Sequence, residues 1–227
     1  MKPCAILVEG KSDKAFLEEL LRRFFSAGDN GKGEGANSTI SDVEIVECGG
    51  WTNLASNNQV KRAIEGEKPV LIVFDADRPD NDRPDDDGGF EKRLAAIQKK
   101  IGELAKVAKV AKVGTDIPIF LFPNNRDDGD FETLLEKMVR EEHRDIVQCW
   151  QNYVDCITSK SYIDGNASKK YNPPTQKSKV HEYAAAIDSD VWKKQEGFNK
   201  TFAKDSVWNW NSPALSPLKE FLTKHLL

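Results

Sequence analysis

The sequence predicts an α/β fold: about four mainly parallel strands flanked by helices, followed by a helical C-terminal extension. Two observations carry this. Four apolar runs have strand length, at residues 4–8, 43–48, 70–74 and 117–122, and three of them are nearly continuous in Ile, Leu, Val and Phe. Strands buried on both faces of a parallel sheet read this way, whereas half-buried strands alternate. Helical patterns separate the runs, and strand–helix alternation marks crossover connections within one parallel sheet.

Taken in order, residues 14–25 place Phe16, Leu17, Leu20, Leu21, Phe24 and Phe25 on one broad helical face, with Ser12 a candidate N-cap. Residues 58–64 form a short helix. Residues 90–110 repeat Phe90, Leu94, Ile97, Ile101 and Leu104 at steps of three and four. A helix at 131–142 follows the fourth strand. From there the pattern is helical: Ile146, Val147, Trp150, Val154 and Ile157 form one stripe, and 180–187 and 217–226 are further helices. The reading is an α/β domain at 1–145 and a helical extension at 146–227 packed on it. Residues 28–38 hold four glycines and read as a mobile surface loop, and 78–89 as an irregular Asp- and Pro-rich stretch. Residues 159–179 read as a charged surface loop.

The chain has 227 residues, 39% of them apolar and 31% charged. No apolar run approaches the ~18–20 residues of a membrane span. The N-terminus offers one Lys and a short apolar run, too little for a signal peptide, so a soluble cytoplasmic protein without membrane contact is expected. Cys4, Cys48, Cys149 and Cys156 form no C-x-x-C pair, which argues against a zinc finger or a disulfide framework. The formal net charge of −4 argues weakly against tight nonspecific nucleic-acid binding, so local charge decides.

Chemistry concentrates at Val8-Glu9-Gly10-Lys11-Ser12-Asp13, between the first strand and helix. Gly10-Lys11-Ser12 looks like the end of a phosphate-binding P-loop, but the first glycine that motif requires is here Ala5, inside a strand. The carboxylates read better. Glu9 ends the first apolar run, and Asp75 and Asp77 end the third. Ligands of open parallel sheets bind beyond the carboxyl ends of strands. Three carboxylates in a small volume repel one another unless a cation or a proton intervenes, and all-oxygen ligands suit Mg²⁺ or Mn²⁺. The bland reading is a set of solvated turn acids.

This combination resembles the Toprim (Rossmann-like) domain shared by topoisomerases, bacterial primases, a ribosomal-RNA maturation ribonuclease, recombination mediators and the overcoming-lysogenization-defect nucleases. The matching residues are the run ending in Glu9-Gly10, then Asp13, and the run ending in Asp75-Ala76-Asp77; the strand at 43–48 followed by Gly49-Gly50 fits between them. The similarity covers roughly 3–140. Ile119-Phe120-Leu121-Phe122-Pro123-Asn124-Asn125, then Gly129-Asp130-Phe131-Glu132-Thr133-Leu134-Leu135, together with the helix at 177–185 and Pro217–Leu222, is similar to small stand-alone Toprim-like bacterial proteins of unassigned activity. Arg78-Pro79-Asp80 departs from the acidic-Gly continuation of the topoisomerase type, which leaves the third acidic position open. With no strand-passage or zinc-binding module, topoisomerase and primase activity are not expected.

The resemblance implies a Mg²⁺- or Mn²⁺-dependent phosphodiesterase on nucleic acid, with Glu9, Asp75 and Asp77 as metal ligands and Glu9 alternatively the general acid/base. Asp13 either supports the metal or complements the positive end of its helix. Asp128 and Glu132 are candidates for a supporting shell. Lys11, Lys169 and Lys170 are candidate phosphate contacts, with Tyr162 and Tyr171 interleaved among the tail lysines in the manner of single-strand binders. The seven aspartates of 75–87 do not make an EF-hand, because prolines and a missing glycine break the loop. His181 sits on a tail helix that could face the site, although packing is its commoner role, and Trp208-Asn209-Trp210 reads as a packing cluster. The rivals are a non-catalytic nucleic-acid, nucleotide or partner-binding module, and a hydrolase or transferase of small phosphorylated metabolites. The oligomeric state is open.

Overall fold

The computed structural model describes residues 4–25, 42–65, 68–79, 87–108 and 117–227; the glycine-rich run at 28–38, the acidic residues 80–86 and the expected helix end at 109–110 lie outside them. In chain order the elements are β1 (Cys4–Val8), α1 (Lys11–Phe24), β2 (Val43–Glu47), α2 (Asn58–Glu65), β3 (Val70–Asp75), α3 (Phe90–Ala108), β4 (Ile119–Phe122), α4 (Phe131–Lys137), α5 (Arg144–Thr158), β5 (Ser161–Asp164), β6 (Ala167–Lys170), α6 (Gln176–Ile187), α7 (Asp190–Lys193), α8 (Gly197–Lys200) and α9 (Ser216–Leu226). Among them no helix is long and apolar enough to cross a membrane. Two compact units are present: Met1–Leu134 with Ser212–Leu227, and Leu135–Asn211.

The first unit holds a four-stranded sheet in the order β2-β1-β3-β4, each neighbouring pair parallel. All four carboxyl ends therefore reach one edge, and β1 and β3 are the central pair. The near-continuous apolar runs are buried on both faces, as two-sided coverage requires. On one face Ala5, Leu7, Val46, Ile72, Phe74 and Leu121 pack with Val60 of α2 and Ile97, Ile101 and Leu104 of α3. On the other, Phe122 meets Phe16 of α1 at 6.5 Å between ring centroids and Phe131 of α4 at 5.1 Å, while Phe120 meets Phe221 of α9 at 5.5 Å. Each such burial contributes about 1.5–3 kcal/mol before entropy is set against it, which makes the sheet a rigid base for whatever its edge carries.

Local structure departs from expectation in four places. Helix α1 starts at Lys11 because Gly10, in extended conformation, is its N-cap and Asp13 takes the Gly10 N–H at 2.8 Å; Ser12 lies inside the first turn. Phe24 leaves the buried stripe, and the Lys219 ammonium covers its ring at 3.4 Å. Helix α4 stops at Lys137 rather than 142, since Val139 forms a β-bridge with Trp208. The fourth difference is the antiparallel β5–β6 hairpin within 159–179. Its turn is Gly165-Asn166, with Gly165 at φ 62, a conformation that favours glycine.

The second unit has its own aromatic core. Trp208 packs on Tyr183 at 5.4 Å and on Phe202 at 5.8 Å. Buried indoles need acceptors: Trp208 Nε1 donates to Thr201 Oγ1 at 2.9 Å and Trp210 Nε1 to the Phe202 carbonyl at 3.1 Å. Both tryptophans are thus packing residues. His181 stacks on Phe198 with 3.8 Å between centroids. Helix α6 begins at Gln176, where Thr175 Oγ1 accepts the Ser178 N–H.

Candidate carboxylate site

The parallel register sets Val8 beside Val73, so the residues that follow them, Glu9 and the pair Asp75 and Asp77, emerge side by side. Glu9 bridges three strand ends. Its Oε1 accepts the Asp75 N–H at 3.1 Å, its Oε2 accepts the Trp51 N–H at 3.3 Å, and its carbonyl accepts the N–H groups of Gly49 and Gly50. Gly49 and Gly50 adopt φ of 73 and 105, which lets the backbone after β2 curl back onto Glu9. Asp75 Oδ1 accepts the Phe131 N–H at 2.7 Å, at the first turn of α4. That turn carries Glu132 and is capped by Asp130, which accepts the Thr133 N–H at 2.7 Å. Asp13, buried on α1, completes the group.

The electrostatics follow from this crowding. Burial raises the Asp13 pKa to about 7, and the Glu9 and Glu132 charges push the same way. Burial also holds Asp75 well above the ordinary carboxyl range, reinforced by the charges of Asp13, Glu9, Glu132 and Asp77. Glu9 is raised by burial, against the pull of the Asp75 and Trp51 N–H groups and of Arg93. Glu9, Asp13, Asp75, Asp77 and Glu132 thus act on one another as a single charge cluster.

Asp77 stands at its margin. It adopts φ 58, and its carbonyl accepts the Gly129 N–H at 2.8 Å, tying the loop after β3 to the loop after β4. Its carboxylate pairs with Arg93 at 2.5 Å. Arg93 comes from the first turns of α3. It also reaches Asp87 at 3.2 Å, lies 4.6 Å from the Trp51 ring centroid, and is only 3% exposed. Its Nε and Nη1 find no acceptor among the described residues. Asp128 Oδ1 accepts the Phe90 N–H at 2.7 Å and so caps α3. Lys11 is exposed on the first residue of α1, and Lys169 and Lys170 are exposed on β6 in the other unit. Sequence reasoning passed over Arg93 and Trp51. For Arg93 a signal existed, since it stands four residues before Ile97 and eight before Ile101, on the buried stripe of α3.

Among the described residues no group of three or more His, Cys, Asp or Glu side chains is arranged as a ready set of metal ligands. The fit to a divalent ion is one of chemistry. The donors are carboxylate oxygens, hard ligands suited to Mg²⁺ or Mn²⁺, and their mutual repulsion is what a dication relieves.

A family described as "Protein of unknown function (DUF3226)" matches residues 3–227. No curated protein matches the chain. Among solved structures it is similar to the C-terminal region of the Burkholderia pseudomallei OLD protein, at 13% identity over 100% of both chains, with a TM-score of 0.45.

Proposed function

As the chain belongs to the DUF3226 family, whose description leaves the activity open, its chemistry is read from its own side chains, and we propose that it is a divalent-metal-dependent phosphodiester hydrolase acting on nucleic acid. The observation that carries this reading is the cluster of Glu9, Asp13, Asp75 and Glu132 at the carboxyl edge of a parallel sheet, each acid raising the others' affinity for positive charge. The Toprim resemblance of the same positions supports the choice of phosphodiester chemistry. Glu9, Asp75 and Asp77 would hold Mg²⁺ or Mn²⁺, which when bound polarises a phosphate and acidifies a water. The Phe131 N–H orients Asp75, and the Asp75 and Trp51 N–H groups orient Glu9. Asp13, with a pKa of about 7 in the metal-free protein, is matched to taking or giving a proton near neutral pH. Arg93 supplies a fixed positive charge beside Asp77.

The deciding experiment is cleavage of labelled DNA and RNA, single- and double-stranded, by purified protein with Mn²⁺. The wild type should cleave, and Glu9→Gln should lose at least about 100-fold, the lower range for removing a general acid/base. Gln keeps the shape but not the charge. No cleavage of any nucleic acid alongside intact Mn²⁺ binding would sink the hydrolase. The Asp77–Arg93 pair specifically favours the reading that would then take its place, a module that binds without cleaving, because it already engages one candidate ligand.

Mn²⁺ should also raise the melting temperature, by the equivalent of about 2.7 kcal/mol at 100 times its dissociation constant. The double variant Asp75→Asn, Asp77→Asn should lose that shift. An equal shift in the double variant assigns the ion to other residues.

A further inference from the structure

We propose that the β5–β6 hairpin is a contact surface for single-stranded nucleic acid. This rests on the nucleic-acid reading above and names the form of the substrate. All residues of Ser161–Asp164 and Ala167–Lys170 are exposed, so the hairpin has no core of its own. A lone two-stranded hairpin is marginal in water, and a cross-strand aromatic pair adds only ~0.2–1 kcal/mol to it. Yet Ile163 is 74% exposed, and the Tyr162 and Tyr171 rings lie together at 5.0 Å, tilted by 39° and both open to solvent. The register sets Tyr162 opposite Lys169, so the tyrosine pair and that lysine share one face.

The segment around the hairpin is rich in lysine. Lys169 pairs with Asp164, and Lys179 is buried against Glu136. Lys160, Lys170 and Lys177 remain exposed without an ion pair among the described residues, Lys170 on the hairpin face opposite the rings. In a chain of net charge −4 this is a local excess. Aromatic faces stack on unpaired bases, and ammonium groups contact the phosphates between them. A duplex keeps its base faces stacked inside and offers the tyrosines nothing. A second copy of the chain would bring the same lysines face to face, which like charge opposes.

The test uses the full-length protein in EDTA, so that binding is separated from cleavage. The probe is a fluorescent oligothymidylate of roughly 16 nucleotides, the upper site size of a single-strand-binding fold, read by anisotropy against a duplex of equal length. Tyr162→Ala with Tyr171→Ala should weaken single-strand binding about fivefold or more for each ring. Tyr162→Phe with Tyr171→Phe keeps the rings and should bind as the wild type does, and unchanged hydrogen exchange at residues 161–170 in the alanine pair separates lost stacking from lost hairpin structure. Lys169→Ala, on the tyrosine face, should lower the salt slope by about 0.7. Unchanged binding in the alanine pair, or duplex binding as tight as single-strand binding, overturns the proposal. So does a concentration-dependent gain in mass by sedimentation that the alanine pair abolishes, which gives the surface to a second copy. Mn²⁺-dependent cleavage that ignores both tyrosines overturns the hairpin and leaves the hydrolase standing. Tyrosine-dependent binding without cleavage does the reverse.

Discussion

Arg93→Ala is expected to destabilise the protein by about 3 kcal/mol, at the low end of the range for removing one partner of a buried ion pair. The lower end applies because Asp77 and Asp87 are about half exposed and regain water when the guanidinium leaves. The loss includes the cation–π contact with Trp51 and the space the side chain fills. Arg93→Met should cost clearly less. Methionine fills much of that space, and it also removes the two buried donors that find no acceptor among the described residues, each of which costs about 1–3 kcal/mol as long as it stays unpaired. Either substitution withdraws a charge that lowers the Glu9 pKa, so Glu9 should bind its proton more tightly. Urea unfolding of the three proteins at one pH measures the stability order. A cost under about 0.5 kcal/mol for Arg93→Ala, the range of ordinary surface substitutions, would remove Arg93 from the architecture of the site.

Arg93 also marks where sequence reading stops. Glu9 and Asp75 were legible because each directly ends a run of apolar residues, and a parallel sheet sends both to one edge. That the two strands are neighbours, which brings Glu9 Oε1 to the Asp75 N–H, follows from a sheet order the sequence does not state. Glu132 was readable from its place in the first turn after the fourth strand. Arg93 is hard to read from sequence, because a single charge on a charge-rich helix resembles a solvated one and only its spacing from Ile97 and Ile101 marks it as buried. Trp51 acts through its backbone N–H, and a main-chain donor leaves no residue signature.

The hairpin escaped for a different reason. Strands are recognised by apolar alternation, which arises when one face is buried. With every β5 and β6 residue exposed, that selection is absent, and only Gly165-Asn166 hints at a turn. The sequence predicts a longer α4 because residues 138–142 carry no breaker. Its end is imposed by a pairing with Trp208 that is remote in sequence. In each case the illegible feature depends on a long-range partner or on the lack of a buried face.

Asp13→Asn is expected to stabilise the metal-free protein at pH 8 and to change little at pH 4. The Asp13 carboxyl has a pKa of about 7 in the fold against 3.8 as the reference for the unfolded chain. Below pH 3.8 both states are protonated and no penalty exists. As pH rises from there toward 7 the unfolded chain releases the proton while the fold retains it, so stability falls, and above 7 the penalty is complete. At 1.36 kcal/mol per unit its ceiling is about 4 kcal/mol. Asparagine stands in for the protonated acid and can still accept the Gly10 N–H through its amide oxygen, so the N-terminal bond of α1 survives. Removing the Asp13 charge also removes the largest charge that raises Asp75, which adds to the gain. Urea unfolding in EDTA at pH 4, 6 and 8 should give a wild-type stability that declines across the series and a smaller decline in the variant. Saturating Mn²⁺ at pH 8 should restore the wild type more than the variant, because part of the repulsion a dication relieves is already gone. If Asp13→Asn instead destabilises at pH 8 as at pH 6, the carboxylate is wanted for its charge at the positive end of α1, and Asp13 leaves the cluster as a helix-capping residue.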